Sequence, residues 1–137
     1  MGNCNVKPAD GKLGIMVVGL GAVTSTFMTG VLMARKGLAK PVGSMTQYDK
    51  IRVGKGADKK YLPYSEIVPM AKLDDIVFGA WDVYPADAYR SATYREVLKE
   101  KDINPVKDEL EKIVPMKAAF DKNFAKRLDG DNVKDCK

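Results

Sequence analysis

Histidine is absent from this chain of 137 residues, so chemistry that needs an imidazole base or ligand cannot be run from it alone. That excludes Ser-His-Asp hydrolases, Cys-His proteases and most zinc enzymes, and no metal site is expected. Cysteine is scarce: Cys4 and Cys136 stand at opposite ends and read as free thiols rather than a bridge. No run approaches the roughly 20 uninterrupted apolar residues of a spanning helix, so no membrane segment is expected. The opening MGNCNVKPADGK also lacks the apolar core of a secretory signal, which makes a reducing cytoplasm the expected location. Internal repeats, low-complexity tracts and flexible Gly/Ser linkers are missing too, which argues against a string of modules.

What is present suits one globular domain: hydrophobic residues make up 45% and charged residues 30% of the chain, too balanced for a disordered tail. The net charge of +5 is unevenly placed, with eight Lys/Arg and two Asp in residues 35–60. Nucleic-acid proteins use such clusters to displace counterions, but they add interleaved aromatics or a groove-reading module. Neither accompanies this run, and no nucleic-acid partner is expected. The segment reads as a solvated loop, or as one that faces an anionic ligand or an acidic protein partner.

Leu13-Gly14-Ile15-Met16-Val17-Val18 is a nearly continuous apolar run of strand length, which predicts a strand buried on both faces of a parallel sheet. Gly19-Leu20-Gly21-Ala22 follows, and then Val23, Phe27, Met28, Val31 and Leu32 recur at helical spacing over residues 23–36. Arg35 and Lys36 suit the negative end of the helix dipole, and Gly37 suits a left-handed terminator. Residues 38–70 are broken by prolines and glycines and predict an irregular excursion with one or two short strands. Residues 75–80 (DIVFGA) predict a second buried strand. Pro85 is placed to open a helix to about Lys101, with Ala88, Tyr89, Ala92, Tyr94, Val97 and Leu98 on its packed face. Asn104-Pro105 predicts a shorter helix through Ile113.

After Phe120 the pattern is weak and no closing strand is read. The fold class is α/β, with parallel strands and flanking helices, but two strands alone would leave edges and apolar faces bare. The chain therefore reads as the amino-terminal piece of something longer, with residues 1–12 a flexible tail and residues 13–137 part of an incomplete Rossmann-like domain.

Gly19-Leu20-Gly21-Ala22-Val23-Thr24 matches the first two glycines of the dinucleotide fingerprint, which permit a tight turn and close approach of backbone to pyrophosphate. Thr24 stands where the third glycine would be. A helix starting here would turn free N–H groups toward an anion, with the Ser25 and Thr26 hydroxyls nearby; the competing reading is a plain structural turn. The acidic partner about 20 positions on has no good candidate. Asp82, after the second strand, can sit beside the glycine turn and accept ribose hydroxyls, or it can cap the helix near Pro85. Trp81 reads as core packing before it reads as a ligand stack.

The segments VVGLGAVTSTFMTGVLMARKGLAKPVGSMTQYDKIRVGKG, LDDIVFGAWDVYPADAY, YREVLKEKD and PMKAAFDKNFAKRL together resemble the amino-terminal portion of the myo-inositol-1-phosphate synthase (inositol-3-phosphate synthase) family, bacterial type. The resemblance runs over nearly the whole chain, with the glycine turn, GSMTQ and GAWDVY in the family's order. It implies an NAD-dependent conversion of glucose 6-phosphate to 1D-myo-inositol 3-phosphate by oxidation, enolisation, aldol closure and reduction. It also implies a Rossmann domain carrying an inserted second domain, and a homotetramer. Carried over position by position, Gly19, Gly21, Ala22, Val23 and Thr24 correspond to the phosphate-binding turn. Asp82 and Val83 correspond to the pair at the adenosine ribose. Many members have a glycine and asparagines where Ala22, Val23 and Thr24 stand, so fewer side-chain amides would reach the pyrophosphate here. The family's catalytic lysines lie in its later portion, and no residue of this chain is assigned a catalytic role.

Overall fold

The computed structural model describes Lys7 and residues 10–134; Cys4, Cys136 and most of the expected tail lie outside the described residues. In chain order the elements are β1 (Leu13–Val18), α1 (Ala22–Arg35), α2 (Met45–Tyr48), β2 (Lys50–Val53), β3 (Lys60–Pro63), α3 (Tyr64–Ile67), β4 (Ile76–Asp82), α4 (Ala88–Arg95), α5 (Glu100–Ile103), α6 (Lys107–Leu110) and β5 (Met116–Lys117). The two apolar runs become β1 and β4, paired in parallel from Leu13 opposite Ile76 to Val18 opposite Trp81. The expectation of two strands is corrected by β5, which extends the sheet in the order β1-β4-β5, also in parallel. With only two residues and partners far away in sequence, β5 carries no apolar run that would betray it.

Burial of β1 on both faces is also corrected. Ile15 and Val17 are half-buried, whereas Met16 is 48% and Val18 89% exposed. Helices cover one face only among the described residues: Phe27 of α1 meets Phe78 of β4 edge to face, with centroids 5.7 Å apart. The core gathers Leu20, Met28, Leu32, Ala80, Ala92 and Leu110.

The inward stripe of α1 is Ser25, Met28, Thr29 and Leu32, shifted from the expected one; Val23 is 85% exposed. Ser25 and Thr29 can be buried because each hydroxyl donates to a carbonyl of its own helix, at 3.2 and 2.7 Å. Their small size suits the contact of α1 with α4, whose buried residues are Ala88, Ser91 and Ala92. The end of α1 is as read: Gly37 has φ +68. Its N–H donates to Ala34 O, and that of Leu38 to Met33 O, both at 3.0 Å, the paired bonds of a Schellman terminus.

The excursion holds a hairpin of β2 and β3, antiparallel and separate from the main sheet. Beyond β4, the helix expected from Pro85 to about Lys101 is shorter. Asp87 caps α4 by accepting from Arg90 N at 2.8 Å, which leaves Pro85 in the loop ahead. Glu96, with φ +54, ends it, and Tyr94 and Val97 are exposed rather than packed. The helix expected through Ile113 is a 3-10 turn at Asn104–Val106 followed by α6. No helix among the described residues is long and apolar enough to cross a membrane.

Candidate functional site

β1 and β4 end side by side, and the chain leaves β1 through Gly19. Gly19 has φ +93, a conformation that favours glycine, and its N–H donates to Trp81 O at 2.7 Å. Leu20 N–H donates to Asp82 Oδ2 at 2.5 Å, the buried Ser91 hydroxyl of α4 donates to Leu20 O, and the Thr24 hydroxyl donates to Gly19 O at 2.9 Å. The turn is thus held from β4, from α4 and from the helix it opens.

Gly21 is glycine for another reason. Its φ of −89 and ψ of −167 are open to any residue, and a Cβ added there would meet no atom within 4 Å. Neither conformation nor packing within the chain demands glycine, so what its missing side chain provides is open approach to the start of α1. The N–H groups of Ala22, Val23 and Thr24 have no acceptor inside the helix. No side chain caps α1, and its first turn contains no acid. A 14-residue helix therefore presents its positive end to open space, which is what an incoming pyrophosphate requires. Ser25 does not take part as expected: it is 1% exposed, and its hydroxyl is spent inside α1. Thr26 lines a separate groove that includes Pro41 and Gln47.

Asp82 does not cap a helix; Asp87 does. Both carboxylate oxygens of Asp82 accept one backbone N–H, Oδ2 from Leu20 and Oδ1 from Tyr84 at 2.9 Å. Each oxygen keeps unused lone-pair capacity. In open dinucleotide sheets with strand order 3-2-1-4-5-6, the acid that meets the ribose ends the strand beside the first one. β4 is that strand here. The excursion between α1 and β4 separates the two strands in sequence, so the carboxylate that stands at the end of β4 beside the glycine turn is Asp82.

The segment after Phe120 supplies residues that sequence reasoning missed. Asn132 Nδ2 donates to Asp82 O at 2.9 Å and to Met116 O at 3.2 Å, while its N–H donates to Val83 O at 2.8 Å. This one side chain ties the ends of β4 and β5 together. Val83 is 8% exposed, backed by Gly130, where any Cβ would collide with it. The signal that could have marked a tight bend there is the run Asp129-Gly130-Asp131-Asn132, all turn-favouring residues.

Two clefts open at this sheet edge and share Asp82. One, of about 610 Å³, is lined by Leu20, Tyr84, Arg90, Tyr94 and Arg95 among others. The second, of about 580 Å³, includes Gly19, Trp81, Val83, Lys117 and Phe120. Both have the size of small-molecule sites. Trp81 is half-buried and lines the second cleft. No group of three or more metal-ligating side chains occurs among the described residues.

The chain is similar to inositol-3-phosphate synthase 1 of Bacteroides thetaiotaomicron, 55% identical over 130 residues, covering 94% of this chain and 30% of that protein. It is 36% identical to inositol-3-phosphate synthase isozyme 1 of Arabidopsis thaliana, covering 82% of this chain and 24% of that protein. The chain thus spans less than a third of the curated relatives it matches. The crystal structure of inositol-3-phosphate synthase from Caenorhabditis elegans superimposes with a TM-score of 0.76 at 22% identity, over 95% of this chain and 28% of that one, and confirms the fold. The glycine turn, the parallel sheet and Asp82 all fall within residues 13–137, the stretch that matches the NAD-binding part of the myo-inositol-1-phosphate synthase family, and the chain belongs to that family.

Proposed function

We propose that this chain binds NAD at the edge formed by β1, β4 and β5. In that role it supplies the dinucleotide-binding portion, residues 13–137, of an inositol-3-phosphate synthase that converts glucose 6-phosphate to 1D-myo-inositol 3-phosphate. The observation that carries the reading is the uncapped start of α1 behind Gly21, where backbone donors face open space beside a half-buried carboxylate. Ala22, Val23 and Thr24 would hold the pyrophosphate through their N–H groups, and Asp82 the adenosine ribose, with Val83 next to it. When bound, NAD supplies reversible hydride transfer. The residues of this chain bind and orient it: the bonds that Leu20 donates to Asp82 and accepts from Ser91 fix the glycine turn before any ligand arrives, so little ordering is left for binding to bring about.

The same reading gives this chain no turnover of its own. General acid–base groups must lie within hydrogen-bond reach of the reacting atoms, and no such group is assigned here. Lys36 is engaged by Glu109 at 2.7 Å, and Lys55 and Lys60 are exposed on the hairpin. The complete protein is proposed to be a cytoplasmic homotetramer.

Calorimetric titration of the 137-residue chain with NAD tests the binding. Gly21→Val should weaken it by about a hundredfold or more, through loss of charge-assisted backbone bonds, and Ser25→Ala should change it far less. Equal losses would sink the phosphate-turn assignment. Inositol phosphate formed by the pure chain would sink the claim that it lacks turnover.

A further inference from the structure

The cleft of about 610 Å³ beside Asp82 contains more positive charge than NAD needs. Arg90 and Arg95 both line it, together with Tyr84 and Tyr94. The Arg95 guanidinium lies over the Tyr94 ring, 5.6 Å from its centroid, and forms no ion pair among the described residues. Arg90 has only a long contact, Nε to Asp87 Oδ2 at 3.5 Å, with its side chain 78% exposed. Such a pair is held weakly in water and leaves the guanidinium available.

In dinucleotide sheets the acid at the end of the second strand meets the free 2′-hydroxyl of NAD, whereas a nearby arginine accommodates a 2′-phosphate. Here both kinds of group border one cleft. A 2′-phosphate at the Asp82 ribose position would meet the carboxylate in a cleft that two planar cations suited to phosphate also line.

Resting on the NAD reading above, we propose that Arg90 and Arg95 form a 2′-phosphate seat and that Asp82 alone weights the site against a 2′-phosphorylated dinucleotide. Cofactor choice then hangs on one carboxylate, and removing its charge converts the chain toward NADP. Asp82 also holds Leu20 N–H, so the conservative change is the informative one. Asn in its place keeps one oxygen acceptor, which can serve the Leu20 bond; it gives up the second acceptor, the one Tyr84 N–H uses, together with the charge.

The test is titration of the 137-residue chain with NAD and, separately, with NADP. Asp82→Asn should weaken NAD binding and tighten NADP binding by about tenfold or more, the worth of one charge-assisted bond or repulsion. Arg90→Ala or Arg95→Ala, added to Asp82→Asn, should take most of the NADP gain away. Asp82→Asn that binds NADP no better than the unmodified chain overturns the proposal, as does a gain indifferent to both arginines. Failure of the unmodified chain to bind NAD at all would sink the cofactor reading and this inference with it.

A second measurement leaves Asp82 intact in case its replacement unfolds the turn. Because the carboxylate weakens the seat without closing it, millimolar adenosine 2′,5′-bisphosphate, added to the unmodified chain, should shift the Nε–H resonances of Arg90 and Arg95. Adenosine 5′-monophosphate should shift them less. Equal shifts from the two nucleotides, or none at either arginine, would remove the seat.

Discussion

The two ends of α1 lead into regions of opposite character. At its start the glycine turn, β4, α4 and residues 130–132 meet through hydrogen bonds that span long sequence distances: Leu20 to Asp82, Ser91 to Leu20 and Asn132 to Asp82. Beyond its end, the excursion of residues 38–75 is held mainly by neighbours. Gln47 N donates to Ser44 O, Asp58 N to Lys55 O and Val68 N to Tyr64 O, and every residue of β2 is exposed. Two bonds from Arg35, to Leu73 O at 2.7 Å and to Ile76 O, tether the excursion where it rejoins the sheet. Polar groups at the first region are satisfied only if four segments arrive together, so it can hold a ligand in fixed geometry. The second can open without disturbing the first.

Asp82→Ala should break that comparison with the largest effect on stability. It removes two bonds from backbone N–H groups to a carboxylate, each worth about 1.5–3 kcal/mol, at a half-buried position where water replaces part of the loss. A drop of about 2–4 kcal/mol in urea denaturation is expected. Arg52→Ala on the exposed hairpin should stay within about 0.5 kcal/mol, as surface changes do. Comparable losses for the two changes would show that the sheet edge is no better tied than the excursion.

Glycines sharpen the contrast at a smaller scale. Gly19→Ala forces a side chain into φ +93 and should cost about 1–2 kcal/mol, whereas Gly21→Ala should leave stability unchanged, since its Cβ meets nothing. Gly54 in the hairpin has φ +86, and its Cβ would lie 2.5 Å from Asp58 O, so Gly54→Ala is strained and crowded at once. Its damage should stay local: amide exchange should speed up across β2 and β3 while β1 and β4 keep their protection. Loss of protection in β1 would mean that the two regions unfold as one.

This division also explains what could be read from the sequence. β1, α1, the Gly37 terminus and β4 were legible because each is written in consecutive residues, as an apolar run, a helical period or a glycine at the right place. Gly19, Gly21 and Asp82 were legible as candidates for the same reason. What Asp82 does with Leu20, and what Asn132 does between β4 and β5, depends on residues 62 and 50 positions away, a distance no local pattern encodes. The extent of α4 is not legible in the sequence, because Pro85 is a visible start signal while the carboxylate of Asp87, two residues later, takes the cap.

The joint between the two regions is Lys36, and it yields the smallest and most pH-dependent effect. Its ammonium donates to Pro105 O and pairs with Glu109 Oε1, both at 2.7 Å, which fastens the end of α1 to the 3-10 turn and α6. By contrast, Lys50, Arg52, Lys55, Lys59 and Lys60 have no ion pair among the described residues. The hydrogen bond from Lys36 holds the Glu109 carboxyl below its ordinary range, against an opposing effect of burial. A carboxylate whose folded pKa is depressed contributes stability above its unfolded pKa and loses it as pH falls through the folded value. With side chains 38% and 34% exposed, the pair is worth about 0.5–1 kcal/mol at most. Glu109→Gln should therefore lower stability slightly at pH 7, and the gap from the unmodified chain should close as the solution is taken below the carboxylate range. Lys55→Gln in the hairpin should show no such pH-dependent gap. If the Glu109→Gln gap persists unchanged in acid, the contact acts through packing rather than charge, and the joint is no different in kind from the rest of the helical layer.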